Sequence, residues 1–122
     1  MGKKILVVDD SRTIRQQVGF TLSKEGFEII EAEDGRDALN QLQSNTDISM
    51  VVSDVNMPKM NGLEMVEAIR QIEQFKFLPI IILTTESSGD KVNKAKKAGA
   101  SGWLVKPFDP EQLIGAVKKL LR

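Results

Sequence analysis

The stretch Ile5-Leu6-Val7-Val8-Asp9-Asp10-Ser11 decides the fold. Four consecutive apolar residues without polar alternation mark a strand buried on both faces. The two acids end it abruptly, and a helical pattern follows with Ile14, Val18 and Leu22 at a spacing of four. That pattern predicts a first helix running to Gly26, a residue suited to a left-handed cap.

The same alternation repeats along the chain. Phe27 to Ile30 reads as a second strand, and Ala38, Leu39 and Leu42 mark a second helix. Met50, Val51 and Val52 form a third strand that runs into Ser53 and Asp54. The turn-rich segment 56–62 (Asn-Met-Pro-Lys-Met-Asn-Gly) leads to a third helix carrying Leu63, Val66 and Ile69. Pro79 to Leu83 is the most apolar strand and ends at Thr84, and a lysine-rich helix then runs toward Ala98. Trp103, Leu104 and Val105 form a fifth strand before Lys106 and Pro107. Asp109-Pro110-Glu111 opens a fifth helix, with an N-cap, proline at its first position, and Leu113, Ile114, Val117 and Leu121 turned inward. Five apolar strands alternating with five helices predict an α/β domain, a doubly wound parallel sheet covered on both faces.

Composition narrows the chemistry. With 122 residues, 41% hydrophobic and 28% charged, one domain with its own core is expected over 1–122. There is no cysteine and no histidine, which excludes disulfides, thiolate or imidazole metal ligands and a phosphohistidine intermediate. Basic and acidic residues balance at 17 each, so nothing favours nucleic acid. The segment 88–122 is nevertheless basic, with Lys91, Lys94, Lys96, Lys97, Lys106, Lys118, Lys119 and Arg122 against Asp90, Asp109 and Glu111. It reads either as solvated helix faces or as a basic docking face. No apolar stretch approaches membrane-spanning length, so a soluble cytoplasmic protein with nothing cleaved and no membrane partner is expected.

In a sheet of this kind ligands bind beyond the carboxyl ends of the strands. Asp9 and Asp10, Asp54, Thr84 and Thr85, and Lys106 each follow an apolar run directly, so parallel strands bring them to one edge. Three carboxylates at about 5 Å and an effective dielectric near 20 repel pairwise by roughly 3 kcal/mol. A divalent cation reverses that sign, and an oxygen-only ligand set favours Mg²⁺, with Mn²⁺ or Ca²⁺ as substitutes. The Asp9-Asp10 pair alone reads equally as a helix N-cap with a first-turn acid. Thr84 and Lys106 supply a hydroxyl and an ammonium, which suit phosphoryl oxygens. Transfer of a phosphoryl group to a carboxylate needs little beyond positioning and charge neutralisation.

Five segments together resemble the receiver domain of two-component response regulators. They are Val7-Val8-Asp9-Asp10-Ser11, Ser53-Asp54-Val55-Asn56-Met57-Pro58, Asn61-Gly62-Leu63-Glu64, Leu83-Thr84-Thr85-Glu86 and the run 98–108, Ala-Gly-Ala-Ser-Gly-Trp-Leu-Val-Lys-Pro-Phe. Stand-alone chemotaxis regulators are the nearest members in pattern. The resemblance implies a flavodoxin-like strand order of 2-1-3-4-5 and a single receiver domain without an output domain. It implies Asp54 as phosphoacceptor, and Mg²⁺ held by Asp9, Asp10, Asp54 and the backbone carbonyl of Asn56, with Asp10 a direct ligand and Asp9 acting chiefly through water. Thr84 and Lys106 would bind the phosphoryl group, and the Lys106–Pro107 bond would be cis. Asn56 and Glu86 would tune the lifetime of the phosphoryl group, toward a short one. Trp103 stands where tyrosine or phenylalanine is commoner, as the aromatic coupled to Thr84. The alternative for Trp103 is a half-buried aromatic on an edge strand. Thr85 replaces a small residue and crowds access to the site.

The implied phosphodonor is a sensor histidine kinase of the chemotaxis type, and the implied targets are a flagellar motor switch or a phosphatase. The protein would be a monomeric signalling protein rather than an enzyme, in chemotaxis or, alternatively, as a phosphorelay intermediate. A flavodoxin would need a Ser/Thr/Gly-rich loop where Asp9-Asp10-Ser11-Arg12 stands. A haloacid-dehalogenase-type hydrolase would place its nucleophile in an Asp-x-Asp pattern after strand one. A P-loop nucleotidase would need a Gly-x-x-x-x-Gly-Lys motif that is missing.

Overall fold

The structure is a computed structural model and describes residues 3–55, 57–85 and 89–121. Its strands are β1 (Lys4–Val8), β2 (Glu28–Ala32), β3 (Ile48–Asp54), β4 (Ile80–Thr84) and β5 (Gly102–Val105). Its helices are α1 (Arg12–Ser23), α2 (Gly35–Ser44), α3 (Gly62–Arg70), α4 (Gly89–Ala98) and α5 (Pro110–Leu120). All strand pairs are parallel, as the apolar strand runs predict, and their order β2-β1-β3-β4-β5 is the one the resemblance implies.

The unbroken apolar runs divide between two cores because successive strand residues face opposite sides. Leu6, Val8, Val51, Ile80 and Ile82 pack with Ala38 and Leu42 of α2 and with Met65, Val66 and Ile69 of α3. Ile5, Val7, Met50, Val52, Ile81 and Leu83 pack with Val18 and Leu22 of α1 and with Leu113 and Val117 of α5. Both faces of the three central strands are therefore covered, and polar groups emerge only at the strand ends. No helix among the described residues is long and apolar enough to cross a membrane.

Several boundaries differ from the sequence reading. Helix α1 stops at Ser23, and its next residue Lys24 is still right-handed, while Gly26 takes φ 92° in the turn that follows. Glycine is used there to reverse the chain rather than to cap the helix itself. Strands β2 and β3 are each longer than their most apolar stretch, reaching Ala32 and Asp54. A short 3₁₀ turn at Glu73–Phe75, which apolar periodicity does not announce, buries Phe75 against the first core. Helix α5 ends at Leu120, so Leu121 packs from the cap position and not from within the helix.

Candidate metal and phosphoacceptor site

Strand register assembles the site. Val8 lies opposite Ser53, so Asp9 and Asp54 leave adjacent strands side by side. Asp54 pairs with Leu83 and Thr84 with Val105, which brings the ends of β4 and β5 to the same edge. Carboxylate oxygens of Asp9, Asp10 and Asp54 all lie within 4.8 Å of one another. Asp10 is exposed, whereas the Asp54 side chain is only 14% accessible and Asp9 is 3% accessible.

The two oxygens of Asp9 have different surroundings. Oδ1 accepts the backbone N–H of Ser11 at 2.9 Å. Oδ2 is buried and accepts no hydrogen bond, alone in this among the buried side-chain nitrogen and oxygen atoms of the described residues. Burial raises the Asp9 carboxyl above its ordinary range; the Ser11 amide opposes this, the charge of Asp54 adds to it and Lys106 opposes it. A buried oxygen with no hydrogen-bond donor, on a residue whose carboxylate lies within 4.8 Å of two others, fits a hard divalent cation. The donor set contains neither nitrogen nor sulfur, which fits Mg²⁺ better than zinc.

Lys106 enters from the end of β5. Its Nζ donates to Asp54 Oδ1 at 3.2 Å and stands 3.9 Å from Asp9 Oδ2. Its backbone N–H donates to the Thr84 carbonyl at 2.7 Å, which ties the two strand ends together. The Lys106–Pro107 peptide is cis. Thr84 is 8% accessible at the end of β4.

The bland reading of Asp9-Asp10 as a helix cap does not describe the structure. Ser11 is the N-cap of α1, accepting the N–H of Ile14 at 3.3 Å, and both acids precede it. Helix α3 begins with a capping box in which Asn61 and Glu64 satisfy each other's backbone N–H. Its first residue has no room for a side chain, since a Cβ at Gly62 would overlap the carbonyl oxygen of Asp54. The phosphoacceptor candidate is thus seated against the start of α3, and the Gly62 N–H donates to Val55 O at 2.8 Å.

Trp103 is half-buried on β5 and packs against the first core. Strand alternation puts it on the same face of the sheet as Ile82 and Thr84, with Ile82 its direct partner in register. The Lys96 ammonium of α4 lies over the indole, 5.0 Å from its centre. Asn56 and Glu86 fall outside the described residues.

Two arginines escape a sequence reading. Arg15 reaches the backbone of Asp9, and Arg70 joins the end of α3 to Gly99 and Phe75. Both bind backbone carbonyls, which no residue pattern identifies.

A family model for the response regulator receiver domain matches residues 5–118. The chemotaxis protein CheY1 of Helicobacter pylori is 46% identical over 111 residues, 90% of each chain. A CheY homolog of Campylobacter jejuni is 43% identical over 119 residues, 97% of this chain and 92% of that one. The solved structure of Vibrio cholerae chemotaxis protein CheY4 superposes with a TM-score of 0.93 at 48% identity, over 99% of this chain and 100% of the other. The receiver domain of a signal transduction histidine kinase from Syntrophus aciditrophicus gives 0.90 at 30% identity, over 98% and 90%.

Proposed function

The chain belongs to the response regulator receiver domain family of two-component signalling, and from that premise we propose that it is switched by phosphorylation of Asp54 in a chemotaxis pathway. The observation that carries this reading is the meeting of three carboxylates within 4.8 Å beside the Lys106 ammonium. Receiver domains typically use Mg²⁺, and here Asp9, Asp10 and Asp54 would hold it, with the carbonyl of Asn56 as a further ligand. When bound, the ion neutralises the acidic oxygens and lowers the repulsion met by an incoming phosphoryl group.

An Asp54 oxygen attacks the phosphorus of a phosphohistidine on a sensor kinase, forming the O–P bond as the N–P bond breaks. Lys106, already within 3.2 Å of Asp54, pairs with the transferred oxygens, and the Thr84 hydroxyl donates to another. The signal leaves through the face of α4, β5 and α5, with Trp103 following Thr84. Asn56 and Glu86 set how long the phosphoryl group survives. The excess of lysine on α4 and α5 suits an acidic or amphipathic protein target, such as a flagellar motor switch or a phosphatase.

Incubation with acetyl phosphate and Mg²⁺, followed by peptide mapping in a mass spectrometer, tests the assignment. The adduct is expected on Asp54 and absent from Asp54→Asn. Incorporation at an unchanged level in that variant overturns the proposal.

A further inference from the structure

We propose that Arg15 is a positioning residue for the metal, fixing the peptide link between the two acids through a charge-balanced pair with Glu31. The inference rests on the reading that Asp9, Asp10 and Asp54 hold Mg²⁺. Arg15 lies one turn into α1, where its backbone N–H donates to the Ser11 carbonyl at 3.0 Å. Its Nη1 donates to the carbonyl oxygen of Asp9 at 2.6 Å, and its Nε donates to Glu31 Oε1 at 3.0 Å. The side chain is 14% accessible although it is charged.

The Asp9 carbonyl belongs to the peptide group that carries the N–H of Asp10. Its orientation therefore sets the direction in which Asp10 leaves the strand. The Asp9 N–H is held by Ala32 O at 3.1 Å, and Oδ1 is held by the Ser11 N–H. Arg15 supplies the remaining constraint. With it, the backbone and one carboxylate oxygen of Asp9 are fixed, and Oδ2 is the atom left to face the ion. Groups that orient metal ligands from behind typically change affinity by about 10- to 100-fold when removed.

A cation hydrogen-bonded to the Asp9 carbonyl ought to oppose Mg²⁺ through its charge, and Glu31 offsets it. Val7 lies opposite Glu31 in the sheet, so the strand pairing itself brings this carboxylate up to the guanidinium. The two possible effects of Arg15 have opposite signs. If it acted only through charge, its removal would tighten Mg²⁺ binding; if it positions the acids, its removal weakens binding.

The test is calorimetric titration of the intact chain with Mg²⁺ at fixed ionic strength. Arg15→Met is expected to bind roughly tenfold more weakly than the parent. Arg15→Lys, which keeps the charge but cannot reach both partners with one fork, is expected to recover part of the loss. Affinity in Arg15→Met equal to or tighter than the parent overturns the proposal. Should Arg15→Met not fold, Glu31→Gln decides. This half-exposed change unbalances the guanidinium and is expected to weaken Mg²⁺ a few-fold, and unchanged or tighter binding overturns the charge-balanced pair. A parent protein that takes up no Mg²⁺ overturns the metal reading and this inference together. Parent-like binding in the variants overturns this inference alone.

Discussion

A carboxylate at 3% exposure, with one oxygen accepting no hydrogen bond and two other acids nearby, costs the fold stability. Asp9→Asn removes the charge while leaving an oxygen for the Ser11 amide, and Lys106 keeps its closer partner Asp54. In chelator the variant is expected to unfold a few degrees higher, corresponding to about 1 kcal/mol. Added Mg²⁺ should then stabilise the variant less than the parent, because binding to the folded state alone is what raises the midpoint. Thermal unfolding with and without the ion checks both signs, and a lower midpoint in chelator would show that Asp9 is structural first. The identity of this residue as a candidate ligand was legible in the sequence, from its place after an apolar run. Its burial and the difference between its two oxygens were not, since they depend on how Ser11 and the neighbouring strand close around it.

At the scale of elements, Arg70 is the clearest case of structure that residue patterns conceal. Its Nε and Nη2 donate to Gly99 O at 3.0 and 2.8 Å, and its Nη1 donates to Phe75 O at 3.0 Å. Gly99 has φ 111° immediately after α4, so the guanidinium clamps the point where the chain turns from α4 toward β5. Burial lowers the pKa of Arg70 from its ordinary value, and a guanidinium in a protein keeps its charge. Hydrogen bonds from a charged donor contribute about 1.5–3 kcal/mol, and Arg70→Ala is expected to lose about that much stability. Hydrogen exchange should quicken chiefly at Gly99 and Ala100, whose amides donate to the last turn of α4, and at Ser101, whose amide donates to Ile80 O. Quickening spread evenly over the chain would place the effect in the core instead. The five strands and five helices themselves were legible from apolar runs and helical spacing. What escaped was local: the end of α1, the 3₁₀ turn and both arginine clamps, each fixed by contacts distant in sequence or by backbone groups common to all residues.

For the whole molecule, the single tryptophan is placed to test the proposed route from the acids to the outer face. Trp103 lies on β5 between the Thr84 side of the sheet and the Lys96 ammonium on α4. Phosphorylation that shifts the β4–β5 edge is expected to change its emission, because the distance to that cation and the access of water both alter. Fluorescence before and after acetyl phosphate, on protein shown by mass to be modified, measures this. Unchanged emission on modified protein would make Trp103 a packing residue of an edge strand and move the signalling route elsewhere. Topology was the part of this route that the sequence carried most fully, since strand ends and parallel pairing sufficed to gather Asp9, Asp10, Asp54, Thr84 and Lys106.

The close seating of Gly62 on the Asp54 carbonyl separates two kinds of constraint that a single motif blurs together. On the proposed reading, the identity of the Asp54 side chain answers to signalling. The missing side chain at Gly62 answers to assembly, because any Cβ there must displace a main-chain atom. If the proposed phosphorylation were given up, Asp54 would be free to drift, while glycine would still be required eight residues later. The durable mark of this architecture is therefore the silent residue beside the acid.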